Sequence, residues 1–229
     1  MKSEQQFVAE YHGVKVPKAP HLGPVIVKNL ETNRYERREV EASIAMIKSD
    51  DVVVEMGAGA GIVGAVIAKK CKPKKIIAFE ANAGLIPHIR HLYQCNNLNA
   101  QVEVRNQIVL SQPDATALQS FFVRGNYLGS GIEIVKGHKR AKEVNVPVIK
   151  WEDVKKEHAP TFLVIDIEGA ELDFFRDADL SGIRGIVVEL HRHIYHRPGM
   201  NEIRSHIKSA GFQQVDQLSG GGVFTYERV

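Results

Sequence analysis

Residues 52–64 read VVVEMGAGAGIVG, and no other stretch restricts the fold as tightly. Val52, Val53 and Val54 are β-branched and consecutive, the pattern of a strand buried on both faces. Ile62, Val63, Val66 and Ile67 then recur at helical spacing. Glycines at 57, 59 and 61 lie between the two. They allow a sharp turn and a close approach to the backbone. A strand, a glycine turn and a helix make a nucleotide-binding loop, with the ligand at the helix N-terminus.

The rest of the chain repeats the alternation. Strands are expected at 52–56, 76–80, 101–105, 162–166 and 185–189, and helices at 62–71, 84–95, 170–178 and 200–210. Val40, Ile44 and Ile47 add an earlier helix with one apolar stripe. Such alternation gives a parallel sheet with helices on both faces. FQQVDQL, SGGG and VFTYERV close the chain as two strands joined by a glycine turn. Residues 1 to about 35 read as a lead-in of short strands or loops, because Pro17, Pro20 and Pro24 interrupt the alternating GVKV and PVIVKNL. Residues 107–160 are too long for a loop. SFFV, GIEIV and VPVIKWEDV suggest extra strands and a short helix, as a cap or a sheet extension.

A chain of 229 residues that is 44% hydrophobic suits one α/β domain. The net charge of +3 is too small to argue for nucleic acid. Cys71 and Cys95 have no paired-ligand spacing, so neither a disulfide framework nor a cysteine zinc site is expected, and a reducing cytoplasm fits. The segment MKSEQQFVAE has no apolar signal core, and no stretch approaches the length of a membrane span.

Two ligands compete for the loop. Gly57, Gly59 and Gly61 form G-x-G-x-G after an acid, whereas Gly59, Gly61 and Gly64 form the dinucleotide pattern G-x-G-x-x-G. Glu55 would repel a pyrophosphate and attract an ammonium group. S-adenosylmethionine carries an ammonium and a sulfonium and no phosphate. Glu80, at the end of the second strand, is placed to accept hydrogen bonds from ribose hydroxyls, a need shared by NAD and S-adenosylmethionine. Ala81 beside it, and Asn106 just past the third strand, complete the candidate cofactor set. An NAD-dependent oxidoreductase and a methyltransferase-like RNA-binding module remain the alternatives.

VVVEMGAGAG, AFEAN and LVIDIEGAELDFF together resemble the FkbM family of S-adenosylmethionine-dependent methyltransferases. The resemblance runs from about RYERREVE to about VVELHRH. It includes the pair Tyr35-Glu36, the loop 55–61, VPVIKWEDV and, most specifically, D-I-E-G-A-E at 166–171. It implies a Rossmann-like class I methyltransferase fold with an antiparallel last strand, which joins the mostly parallel sheet and the inserted strands between the third and fourth parallel strands that the pattern above already gives. It implies methylation of oxygen on sugars, polyketides or other small molecules. The family's loop is often D-V-G-A-N-x-G. Here Glu55 stands for the Asp, and Ala58-Gly59-Ala60 for A-N-x.

Ligands of open α/β sheets sit beyond the carboxyl ends of the strands. Asp166 lies at such an end and is the first candidate for base or acceptor-orienting group. Glu168 and Glu171 follow it, and Glu171 reads as an acid complementing a helix N-terminus. VVELHRHIYHRP adds Glu189, His191, His193 and His196. His191 and His193 would point the same way if the strand continued. Asp166, Glu189 and His191 could ligate a divalent cation, with His191 as general base the competing reading. KKCKPKK at 69–75 reads as a solvated helix end, and KGHKRAK at 136–142 as a loop that could meet an anionic acceptor.

Overall fold

A computed structural model describes residues 6–123 and 141–229. The N-terminal hairpin pairs β1 (Phe7–Tyr11) with β2 (Val14–Pro17) around His12 and Gly13, both at positive φ. Asn96 clips this hairpin to the body, accepting from Lys15 N at 2.9 Å and donating to Lys15 O at 2.8 Å. PVIVKNL is not a strand or loop, as its alternation suggested. It forms helix α1 (Pro24–Glu31). Pro24 sits in the first turn, where no intrahelical N–H is needed, and Ile26 and Leu30, one turn apart, are both buried. Helix α2 (Arg37–Met46) follows.

The main elements are β3 (Val52–Met56), α3 (Ile62–Lys70), β4 (Lys75–Phe79), α4 (Ile86–Cys95), β5 (Val102–Arg105), β6 (Ile108–Leu110), β7 (Leu118–Val123), β8 (Lys142–Lys150), α5 (Trp151–His158), β9 (Phe162–Ile165), α6 (Glu171–Asp177), β10 (Gly185–Glu189), α7 (Arg192–Ser209), β11 (Phe212–Gln214) and β12 (Val223–Arg228). The central sheet has the order β11-β12-β10-β9-β3-β4-β5. The strands from β5 to β10 run parallel, and β12 is antiparallel to both its neighbours.

Strand alternation divides the core. Val53, Ile76, Ala78, Phe162 and Val164 face the cluster that contains residues of α2, α3 and α4. Val54, Ile77, Phe79, Leu163 and Ile165 face Trp151, Phe174, Phe175, Ile203 and Ile207 of α5, α6 and α7. At the amino end of the sheet Asp51, 2% exposed, pairs with Arg184 and accepts from Lys48 N (2.6 Å) and Thr161 Oγ1 (2.7 Å). One carboxylate thus ties β3, β9 and β10 together at the end away from the ligand side.

The insertion forms a sheet of its own, order β6-β8-β7, rather than an extension of the main one. Ile108, Phe121 and Val146 make its small core. Its last element belongs to the body: Trp151 of α5 is 1% exposed and its Nε1 donates to Asp179 O at 2.8 Å. GIEIV, and KGHKRAK up to residue 140, lie outside the described residues.

Candidate active site

The glycine turn sits where β3, β4 and β9 end. Gly57 N and Ala58 N both donate to Phe79 O at 3.0 Å. At Gly57, with φ +85°, a Cβ would stand 1.7 Å from Asp166 O, so only glycine allows this loop to lie against the end of β9. Gly59 differs. At φ +54°, its nearest neighbour to a Cβ would be Gly57 O at 4.0 Å, so its surface is open. Gly61 closes the turn at the start of α3.

Glu80 holds the open part of the turn. Gly59 N donates to its Oε2 and Asn82 N to its Oε1, each at 2.7 Å. Burial pushes its carboxyl up to about 7, against the lowering effect of backbone donors from Asn82, Gly59 and Ala81. Asn106 supports the same corner, its Nδ2 donating to the carbonyls of Glu80 (2.8 Å) and Ala81 (2.9 Å). Asn82 was not among the residues singled out. It is 5% exposed, and its Nδ2 has no hydrogen-bond partner among the described residues. Its signal was available in AFEAN, two positions past Glu80.

Glu55 is placed differently from its expected role. It is 2% exposed and lies beneath α3, where a Cβ on Gly64 would meet its Oε2 at 2.3 Å. Burial pushes its carboxyl up to about 8, opposed by the Gly64 backbone N–H. Glu55 is therefore largely uncharged at neutral pH, and its charge is a weak argument against a pyrophosphate. Gly64 serves Glu55, as well as helix packing.

The second half of the site is the D-I-E-G-A-E turn and the end of β10. Glu168 takes the left-handed conformation at φ +51°, and Gly169 follows at +114°. A non-glycine residue held there is a local cost that functional loops often retain. Glu171, fully buried, does more than complement a helix end. Its carboxylate accepts from Ile167 N (3.2 Å), Gly169 N (3.0 Å) and the Tyr195 hydroxyl, and it lies 3.2 Å from His191 Nδ1. Across the ring, His191 Nε2 lies 3.2 Å from Glu168 Oε2 and 3.8 Å from Asp166 Oδ1.

Two expectations need correction here. The strand does not continue through His191 and His193: β10 stops at Glu189, His191 precedes α7 and His193 lies in its first turn. His191 and His193 instead meet edge to face, ring centres 5.8 Å apart. The residue that joins Asp166 and His191 within metal-ligand distance is Glu168, not Glu189. Glu189 lines a neighbouring cleft of about 580 Å³ with Leu190, His191, His193 and the Gly221–Gly222 turn. Helix α7 also begins eight residues earlier than expected, with a break at His196.

Acids dominate the electrostatics. Burial and then the charges of Glu39, Glu168 and Glu189 hold the Asp166 carboxyl well above its usual range, with His191 opposing. Burial likewise raises Glu189, Glu36 and Glu39. Burial disfavours a charged His191, but Glu171, Asp166 and Glu168 outweigh it and push its pKa up to about 9. Glu39 lies three residues past Glu36 in RYERREVE, one helical turn on, and sequence reasoning passed over it.

Such a glycine turn, strand-end acid and seven-stranded order define the class: an S-adenosylmethionine-dependent methyltransferase of Rossmann-like fold. The sequence matches the Methyltransferase FkbM domain over residues 55–213, well over half the chain. The protein belongs to the FkbM methyltransferase family. No curated protein matches it. Among solved structures, the precorrin-6y C5,15-methyltransferase of Geobacter metallireducens is similar with a TM-score of 0.52 at 13% identity, over 98% of this chain and 100% of that one. A putative tRNA (m1A22) methyltransferase of Streptococcus pneumoniae, solved with S-adenosyl-L-methionine, gives 0.50 at 12% identity, over 83% and 72%. At such identities these likenesses establish the fold. The family match displaces the oxidoreductase reading. No helix among the described residues is long and apolar enough to cross a membrane.

Proposed function

We propose that this methyltransferase methylates a hydroxyl group of a small molecule held at the ends of β9 and β10. The observation that carries the reading is the Asp166–His191 pair beside the 580 Å³ cleft. That volume suits a metabolite. Oxygen methylation requires a proton to leave the acceptor, and the carboxylates gathered beside His191, made more basic by burial and by one another's charge, are suited to take it in their ionised form. Glu171 fixes the imidazole through Nδ1 and leaves Nε2 facing Asp166 and Glu168.

S-adenosylmethionine supplies an electrophilic methyl group when bound. The residues present fit it. Gly59 leaves open space over the turn, Glu80 offers carboxylate oxygens for two ribose hydroxyls, and Asn82 and Asn106 flank that corner. Gly57, Gly61 and Ala81 shape the backbone around it, while Glu55 supports the turn from beneath.

The test is a screen of hydroxylated metabolites and RNA with S-adenosylmethionine labelled in its methyl group. An O-methylated metabolite supports the reading. Label found only on nitrogen, or only in RNA, overturns it.

A further inference from the structure

Asp166, Glu168 and His191 each offer one ligand atom, and the three atoms lie within 4.8 Å of one another. His191 Nε2 is 3.2 Å from Glu168 Oε2 and 3.8 Å from Asp166 Oδ1. Ligand bonds of about 2.1 Å put neighbouring ligand atoms about 3 Å apart around an octahedral ion. The three atoms therefore stand close to the spacing of ligands on one face of a cation.

Three further observations point the same way. The far side of the imidazole is held by Glu171, an arrangement that turns Nε2 toward Asp166 and Glu168, as second-sphere carboxylates do for ligating histidines. Asp166 Oδ1 is buried with no hydrogen-bond partner among the described residues. Glu39, 5% exposed, is the strongest neighbouring charge acting on Asp166. Asp166, Glu168 and Glu171 surround His191, and Glu36, Glu39 and Glu189 act on that group of acids in turn. Burying that many carboxyls is costly unless protons or a cation neutralise them.

We infer that Asp166, Glu168 and His191 bind a divalent cation of the first transition row, with Glu171 as the group that orients His191. Two carboxylate oxygens and one imidazole nitrogen suit such an ion. The chemical consequence rests on the proposed O-methylation. An acceptor hydroxyl bound to the cation loses its proton more readily. The O–H bond breaks, its electron pair stays on oxygen, and the proton passes to Glu189, the carboxylate that faces the cleft. Binding of the cation does not itself depend on that reading.

Manganese titration followed by electron paramagnetic resonance tests the site on full-length, chelator-treated protein, with neither cofactor nor acceptor present. One tight Mn²⁺ site is expected. Glu168→Gln, at a partly exposed position, should weaken it at least tenfold. Glu171→Gln should weaken it about 10- to 100-fold, the range for losing a group that orients a ligand. His191→Ala provides a further variant if buried Glu171→Gln fails to fold. Glu103→Gln should leave the site unchanged, since Glu103, Glu157 and His158 form the other metal-like group but are already paired with Lys75 and Arg105. No tight binding, or binding that survives Glu168→Gln and His191→Ala, overturns the inference. Either result leaves the methyltransferase reading standing, because the titration involves no methyl transfer.

Discussion

Glu80→Ala tests the corner on which cofactor binding depends. The carboxylate is 7% exposed and accepts Gly59 N and Asn82 N, each at 2.7 Å. Alanine removes both acceptors and the group offered to the ribose. A hydrogen bond to a charged group contributes about 1.5–3 kcal/mol, and water reaching the emptied corner recovers part of it. The net loss of S-adenosylhomocysteine affinity should be about 1–3 kcal/mol, or roughly 5- to 150-fold. Titration calorimetry measures it directly, and a thermal melt checks that the fold survives. Glu80 also makes binding pH-dependent. Its pKa of about 7 falls when ribose hydroxyls donate to the ionised form, so affinity should decrease as pH drops through 7. Unchanged affinity in a folded Glu80→Ala protein would refute the assignment.

The other expectations concern separate parts of the molecule. Gly57→Ala should cost roughly 2–4 kcal/mol of stability, since its Cβ would collide with the backbone of Asp166, and denaturant melts will show it. Glu55→Gln should stabilise the protein more at pH 8 than at pH 5. A folded pKa of about 8 against an ordinary 4.5 means the wild type loses stability as pH rises through that window, on the order of 4 kcal/mol by pH 8, and glutamine does not. Melts at both pH values compare the two proteins. Asp51→Ala strands Arg184 and should destabilise by roughly 2–4 kcal/mol, short of the fully buried limit because Arg184 is partly exposed. Asp166→Asn should bind S-adenosylhomocysteine nearly normally and lose ~10²-fold or more in methyl-transfer rate, the scale for losing a charged group that helps the acceptor shed its proton. Wild-type turnover in that variant would exclude Asp166 from the chemistry.

Four of the five parallel strands were legible because each is a short apolar run, buried on both faces, as VVVEM and FLVI show; β5, VEVR at the sheet edge, alternates instead. Pro24 misled: in PVIVKNL it marks a helix start, and four-residue spacing between Ile26 and Leu30 competes with alternation in so short a piece. The glycine turn and Glu80 could be read from local spacing alone. The acid–histidine cluster could not, because it joins α2, the 166–171 turn and the end of β10, which are distant in sequence. Glu171 looked like a generic helix-start acid, and only the fold brings His191 and Tyr195 to it. Glu55 was legible as important, but its burial under Gly64 depends on how α3 packs.

The central claim is that the turn from Gly57 to Gly61, with Glu80, holds S-adenosylmethionine. Parallel calorimetric titrations of the wild-type protein with S-adenosylhomocysteine and NADH test it without knowledge of the acceptor. The account predicts one site for S-adenosylhomocysteine and no measurable binding of NADH. Tighter binding of NADH would contradict it.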